Sequence, residues 1–317
     1  MTTKAAARDL GGDVHIIDTR IGGQPRTTGA FVVLGDEPCL VETGPARSAP
    51  AIITELTELG IGPHDLATIA VTHVHLDHSG GVGDLARAYP RARIAVHPAG
   101  ARHLADPTRL MSSAQRVFGA QLDILFGPLR AVDADRIVSL DDDADLRLGG
   151  ARTLRALHTP GHARHHISYL DTATGDLYTG DSAGMYVPET HTYKPTTPPP
   201  DFDLALARAS LRRMRDQDPQ RLLFTHYGPG PDAAEGLDRA ESEMLAWTRT
   251  VRDVAGTRTD TEAVVAEAVR HLRGRYPRLV NERELERRWE ELSSTHANVS
   301  GIAHWLGRAT PEETATV

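Results

Sequence analysis

The first half of the chain alternates short apolar runs with turns. "VHIID", "GAFVVLG" and "CLVETG" read as strands. "SAPAIITELTELG" has apolar residues at helical spacing and stops at a glycine, which predicts a helix. "LATIAVT" is a buried strand that leads into "HVHLDHSGG". "GVGDLARAYP" follows as a helix ended by Pro90, and "RARIAVHP" as the next strand. Residues 108–126, "TRLMSSAQRVFGAQLDILF", read as one rather apolar helix: a lid, a dimer contact or part of the core.

Short strands return in "DRIVSL", "DLRLGG", "ARTLRALHT" and "HISYLDTATGDLYTGD", with a turn at "TATGD". The prolines of "SAGMYVPETHTYKPTTPPP" predict an irregular loop. "DFDLALARASLRRMRDQ" is a helix and "RLLFTHYG" a strand. Beyond "YGPGPD" strand signals vanish and four helical patterns follow. We therefore expect a catalytic domain over 1–230 and a helical C-terminal domain over 231–317.

The 317 residues suffice for one large core, or for a large domain with a smaller one. The net charge of -8 offers no attraction to nucleic acid or an anionic membrane, and the 5% aromatic content advertises no base-stacking platform. The single Cys39 lies in a strand pattern and reads as buried filler. The N-terminal stretch lacks an apolar signal core, and no run approaches the ~20 apolar residues of a membrane span. These features lead us to expect a cytoplasmic protein.

The chemistry concentrates in "VTHVHLDHSGG". On an extended strand end, His73 and His75 lie two apart and share a side, so they can converge on one metal. Asp77 and His78 follow as the chain turns and can face a second. Four groups are too many for one open site and too few for two. His162 in "TPGH", Asp181 in "TGD" and His226 in "FTHYG" follow later strand patterns and are the candidates to complete it.

The set "HVHLDH", "PGH", "TGD" and "TH", in that order, resembles the metallo-β-lactamase fold superfamily, and within it the glyoxalase II-like hydrolases, over about residues 13–230. The resemblance implies an α/β four-layer αββα sandwich with a C-terminal helical extension. It implies that His73, His75 and His162 bind one metal and that Asp77, His78 and His226 bind a second. Asp181 would bridge them, and Asp77 and Asp181 would be the catalytic carboxylates. Glu42, in "VETG", stands where the family has the Asp of "DTG", and would support the site or the fold. In "TPGHARHHISYL", Arg164 and His165 replace the usual residues before His166, and His166 matches a position that supports the loop.

Imidazole and carboxylate ligands suit two divalent ions, zinc first, with iron or manganese as alternatives. Such ions activate water near neutral pH and polarise a carbonyl. The expected activity is hydrolysis of an ester-like bond in a small molecule: a thioester, lactone or relative. A mononuclear iron, persulfide dioxygenase-like oxidoreductase is the second reading. A metal-dependent phosphodiesterase or nuclease is the third, disfavoured by the acidic balance. β-Lactam hydrolysis is a weak choice, since fold does not carry substrate. Tyr186, Tyr193, Lys194 and Tyr227 are candidates to touch substrate, against the plainer reading of ordinary loop side chains. The remaining histidines read as surface or packing residues, and the helical tail is a candidate homodimer contact.

Overall fold

Apolar residues of the first seven strands pair in chain order. These are β1 (Arg8–Asp9), β2 (Val14–Asp18), β3 (Gly29–Val33), β4 (Cys39–Val41), β5 (Thr68–Ala70), β6 (Arg93–Val96) and β7 (Ile137–Ser139). β1 to β4 are antiparallel, and β4 to β7 are parallel. The parallel half needs crossovers. Helices α1 (Ala49–Glu58), α2 (Leu76–Ser79), α3 (Val82–Ala88), α4 (Pro98–Ala105), α5 (Thr108–Phe118) and α6 (Gln121–Leu125) lie in them. The computed structural model describes residues 7–258 and 260–315. Residues 1–6, which begin the stretch read as free of a signal sequence, lie outside the described residues.

A second sheet follows from β8 (Asp145–Arg147), β9 (Thr153–His158), β10 (Ile167–Asp171) and β11 (Asp176–Gly180). β12 (Met185–Val187) and β13 (Thr192–Lys194) pair only with each other. After α7 (Leu204–Asp216), β14 (Arg221–Phe224) and β15 (Gly228–Pro229) rejoin the second sheet, whose order is β15-β14-β11-β10-β9-β8. From Ala233 on, the described elements are helices: α8 (Ala233–Ala255), α9 (Thr261–Arg275), α10 (Pro277–Asn281), α11 (Arg283–Leu292), α12 (Thr295–Leu306) and α13 (Pro311–Ala315).

The period-two alternation of the strands decides the layers. Phe31, Val33, Cys39 and Val41 meet Leu154, Ala156, Tyr169, Tyr178 and Leu223 between the sheets. Phe31 and Tyr178 make an edge-on ring contact at 5.3 Å. The intervening Ala30, Val32 and Leu40 point the other way, onto Ile52, Leu56 and Leu85 of α1 and α3. On the far face, Leu157, Leu177, Leu222 and Phe224 pack against α7, α8, α9 and α12. The result is the αββα sandwich, and the C-terminal helices share the core of its fourth layer. Asp203 and Asp232 cap α7 and α8 by accepting from Leu206 N and Glu235 N. Cys39 is buried, and burial pushes its thiol up to about 12, which makes it packing rather than a nucleophile.

Two expectations are corrected. Residues 108–126 are two helices, broken where Gly119 adopts a positive φ of 51°. The proline-rich segment after Asp181 is not irregular throughout, because β12 and β13 form a hairpin in it. Each strand is only three residues long, too short to register as an alternating pattern.

Candidate metal centre

Five strand ends meet at one edge of the sandwich. β5 runs into His73 and His75, and α2 then turns Asp77 and His78 inward. His162 follows β9, Asp181 follows β11, His226 follows β14 and Glu42 follows β4. The predicted ligand residues come together. His75 Nδ1 lies 2.9 Å from His73 Nε2 and 3.0 Å from His162 Nε2. His78 Nε2 and His226 Nε2 lie 3.2 Å apart, with Asp77 Oδ2 at 3.7 and 3.5 Å from them. Asp181 stands between the two sets. Its Oδ1 is 3.2 Å from both His78 and His226, and its Oδ2 is 3.4 Å from His162. His73, His78, His162, Asp181 and His226 are buried, whereas His75 and Asp77 retain some exposure and mark the opening.

The far nitrogens of these imidazoles fix which atom faces inward. His162 Nδ1 donates to the Thr196 carbonyl, His226 Nδ1 to the Thr27 carbonyl, both at 3.0 Å, and His78 Nδ1 to Glu42 Oε1 at 3.1 Å. The Thr72 hydroxyl donates to Glu42 Oε1 at 2.5 Å, so its oxygen accepts from His73 Nδ1 at 3.0 Å. Each Nε2 therefore turns a lone pair inward. The lone pairs of His78 and His226 face each other beside Asp181 Oδ1, which has no hydrogen-bond partner. Such an arrangement calls for positive charge in its centre, and the donor set fits divalent metal ions held by outer partners.

The electrostatics show the same demand for positive charge at the centre, which an ion or a proton on His78 or His226 can meet. Burial alone would lower His78 and His226, but Asp181 and the other nearby carboxylates hold both above their ordinary value. Burial would raise Asp181, but His78, His226 and His162 hold it well below the carboxylate range. Burial and the neighbouring imidazoles push His73 and His75 well below theirs, leaving them neutral, as metal ligands must be. The atoms fall into three overlapping groups that can hold an ion: His73, His75 and His162; His73, His78 and Asp181; and Asp77, His78 and His226.

His166 is buried outside the ligand groups. Its Nε2 accepts from Asp181 N at 3.0 Å, and its Nδ1 faces Thr159 and Ser182. It thereby positions the Asp181 backbone. Tyr169 donates to the Val71 carbonyl at 2.9 Å and ties β10 to the strand end that carries His73.

The four candidate substrate residues do not converge on the cluster. The Tyr186 hydroxyl meets His191 Nδ1 at 2.7 Å, although its backbone N donates to the His226 carbonyl at 2.6 Å. Tyr193 lies tilted against Tyr186, ring centroids 4.9 Å apart, in the outer core. Lys194 is buried and pairs with Glu290 at 2.8 Å. Tyr227 packs between the sheets, with the Arg26 guanidinium 5.8 Å above its ring. Sequence reading also missed Thr72 and the Thr27 and Thr196 carbonyls. Thr72 stood in the motif, beside His73, but a backbone carbonyl leaves no sequence signal.

A cavity of about 740 Å³ is lined by Gln24, Glu189, Arg278, Leu285 and Arg288, none of them a candidate ligand. Gln24 and Arg288 also line a narrow cleft that reaches Thr27, whose carbonyl holds His226. The α5–α6 hairpin walls that cleft through Leu125 and Phe126, and α11 does so through Glu291 and Leu292.

The family model of the Metallo-beta-lactamase superfamily matches residues 24–226, and the chain belongs to that superfamily. It is similar to the metallo-β-lactamase fold-containing protein ST1585 of Sulfurisphaera tokodaii, 34% identical over 163 residues, which are 50% of this chain and 60% of that one. The crystal structure of ST1585 from Sulfolobus tokodaii superposes with a TM-score of 0.62 at 28% identity, over 73% of this chain and 86% of that one. An atrochrysone carboxyl ACP thioesterase of Aspergillus chevalieri is 28% identical over 86% of this chain and 77% of its own length. A hydroxyacylglutathione hydrolase of a Synechococcus species is 32% identical over 44% of this chain and 41% of its own. In sequence, the match thus spans less than two thirds of ST1585 and of the hydroxyacylglutathione hydrolase. Members of the superfamily to which the chain belongs include metallohydrolases, and its His/Asp cluster can bind metal ions.

Proposed function

We propose that the chain is a dinuclear metal-dependent hydrolase of an ester-type carbonyl, with an acyl thioester as the first substrate class. The observation that carries this reading is the set of inward lone pairs around Asp181, whose two oxygens face different ligand groups. His73, His75 and His162 would hold one ion, and Asp77, His78 and His226 the other, with Asp181 between them. Zinc suits these ligands best, and iron or manganese are alternatives. When bound, the ions supply an activated water and a polarised carbonyl.

The protein groups then have distinct tasks. Glu42, Thr72, Thr196 and Thr27 hold the imidazole tautomers. Asp77, at the opening, accepts a proton of the attacking water. The water oxygen bonds to the acyl carbon, the carbon–sulfur bond breaks, and a proton from the water ends on the leaving thiolate. Support for a thioester comes from two relatives whose names specify an ACP thioesterase and a hydroxyacylglutathione hydrolase.

The test is metal analysis of the purified protein together with hydrolysis of a simple acyl thioester. Two zinc ions per chain, with activity abolished by chelation and restored by zinc, would support the reading. Full activity in metal-free protein would refute it. One iron per chain with oxygen consumption would favour the persulfide dioxygenase-like alternative.

A further inference from the structure

Among the described residues, Val117, Phe118, Ile124 and Leu206 are the exposed large apolar side chains, and three of the four sit on the α5–α6 hairpin. Val117 is 74% exposed and Ile124 57%. Arginines accompany them along the chain, and Arg116 directly precedes Val117. From Pro98 to Arg130 the chain carries Arg102, Arg109, Arg116 and Arg130 against Asp106 and Asp123, within a chain of net charge -8. Arg130 pairs with Asp84, but Arg102, Arg109 and Arg116 are exposed and pair with no carboxylate among the described residues. Arg109 and Arg116 are seven residues apart, on one face of α5. On the preceding helix α4, Arg102 Nε donates to His103 Nε2 at 3.3 Å. Exposed apolar side chains interspersed with unpaired cations on one helical segment are the composition of a partner surface.

The hairpin is also anchored beside the chemistry. Ala114, Leu122, Phe126 and Leu129 pack with Leu76, the residue between His75 and Asp77. Leu125 rests on Gly22, and Arg47 binds the Asp123 carbonyl. A partner seated here would stand next to the partly exposed ligands.

We propose that the α4–α6 face is the docking surface for an acidic acyl-carrier domain that delivers its acyl group as a thioester on a flexible arm. This rests on the thioester reading of the metal centre and adds where the carrier binds. Charge chooses among occupants. A second copy related by a twofold axis through this patch would bring the two sets of unpaired arginines together, which is repulsive. A flat anionic membrane would meet the whole acidic chain. A small acidic domain touches only the patch, within about one Debye length of ~8 Å.

The test uses the metal-loaded full chain with an acidic acyl-carrier protein bearing an octanoyl thioester, and with octanoyl-N-acetylcysteamine as the carrier-free control. Carrier binding is read separately by fluorescence anisotropy. Arg109→Glu/Arg116→Glu and Val117→Ser/Ile124→Ser should each weaken carrier binding, and lower kcat/KM on the carrier-bound thioester by about tenfold or more. Both should leave the carrier-free rate unchanged. Arg212→Glu/Arg249→Glu, with the same charge change elsewhere, should alter neither. Equal binding by wild type and patch variants would overturn the proposal, even with full hydrolysis of the free thioester. Patch-dependent binding without hydrolysis of either thioester would support the surface and sink the thioesterase reading. Arg109-dependent sedimentation with phosphatidylglycerol vesicles, or a dimer that Arg109→Glu/Arg116→Glu dissolves, would assign the face elsewhere and overturn the carrier.

Discussion

Glu42 Oε1 accepts from His78 Nδ1 at 3.1 Å, inside a site where neither side chain meets solvent. The same oxygen takes the Thr72 hydroxyl, which in turn holds His73. One carboxylate therefore orients an imidazole in each half of the centre. Glu42→Gln keeps the shape but presents either a neutral oxygen or an N–H to His78. We expect metal affinity to fall about 10–100-fold, the usual cost of losing an outer partner, measured by competition with a chelator dye. An unchanged affinity would show that Glu42 serves the fold alone.

The candidate ligands come from four separate strand ends, so metal would bind the folded chain and not the unfolded one. Chelation should therefore lower the melting temperature, and free zinc at about 100-fold over its Kd should restore roughly 2.7 kcal/mol. Asp181→Asn, which removes the charge facing both groups, should reduce this zinc-dependent gain. Calorimetry with and without chelator reads both. Equal melting temperatures in the two conditions would argue against a resident metal.

Lys194 and Glu290 tie the β12–β13 hairpin to α11, and the Lys194 side chain is 1% exposed. Glu290→Ala leaves that ammonium unpaired and should cost about 3 kcal/mol, while Lys194→Met/Glu290→Leu should recover most of it. Burial would raise Glu290, but Lys194 and Thr295 hold it below its ordinary 4.5. The folded state thus binds this proton less readily than the unfolded one. The stabilisation is complete above about pH 4.5 and is lost as pH falls through the lower folded value. Urea unfolding should show the gap between wild type and Glu290→Ala narrowing in acid.

Gly180 has a positive φ of 51°, and a Cβ there would lie 2.5 Å from His166 Nε2 and 2.7 Å from Thr72 Oγ1. Gly180→Ala should cost about 2 kcal/mol or more and weaken metal binding through Asp181. Gly274, near the end of α9, has nothing within 4 Å of its Cβ position. Gly274→Ala should instead stabilise by about 0.5 kcal/mol. Chemical denaturation of the two variants compares them directly, and similar effects would contradict this account.

The ligand motif was readable because period-two geometry and a short turn place His73, His75, Asp77 and His78 locally. His162, Asp181 and His226 were legible as residues just past strand ends, and the long strands and helices were legible from their periodicity. The hairpin of β12 and β13 was not, since each strand is too short to show alternation and its pairing depends on packing against Phe224 and α8. Lys194 shows the consequence. In a supposed loop a lysine is a candidate for substrate, whereas in the fold a carboxylate 96 residues away claims it.

By itself, then, the sequence determined the candidate metal-ligand types, their order and the layers that periodicity builds. Only the tertiary structure decided how Asp181 divides its oxygens, which nitrogen each imidazole turns inward, and that the hairpin packed against Leu76 leaves Val117, Phe118 and Ile124 exposed. The reason is physical. Periodicity constrains neighbours along one element, while tautomers, ion pairs and surface patches depend on groups brought together from distant elements.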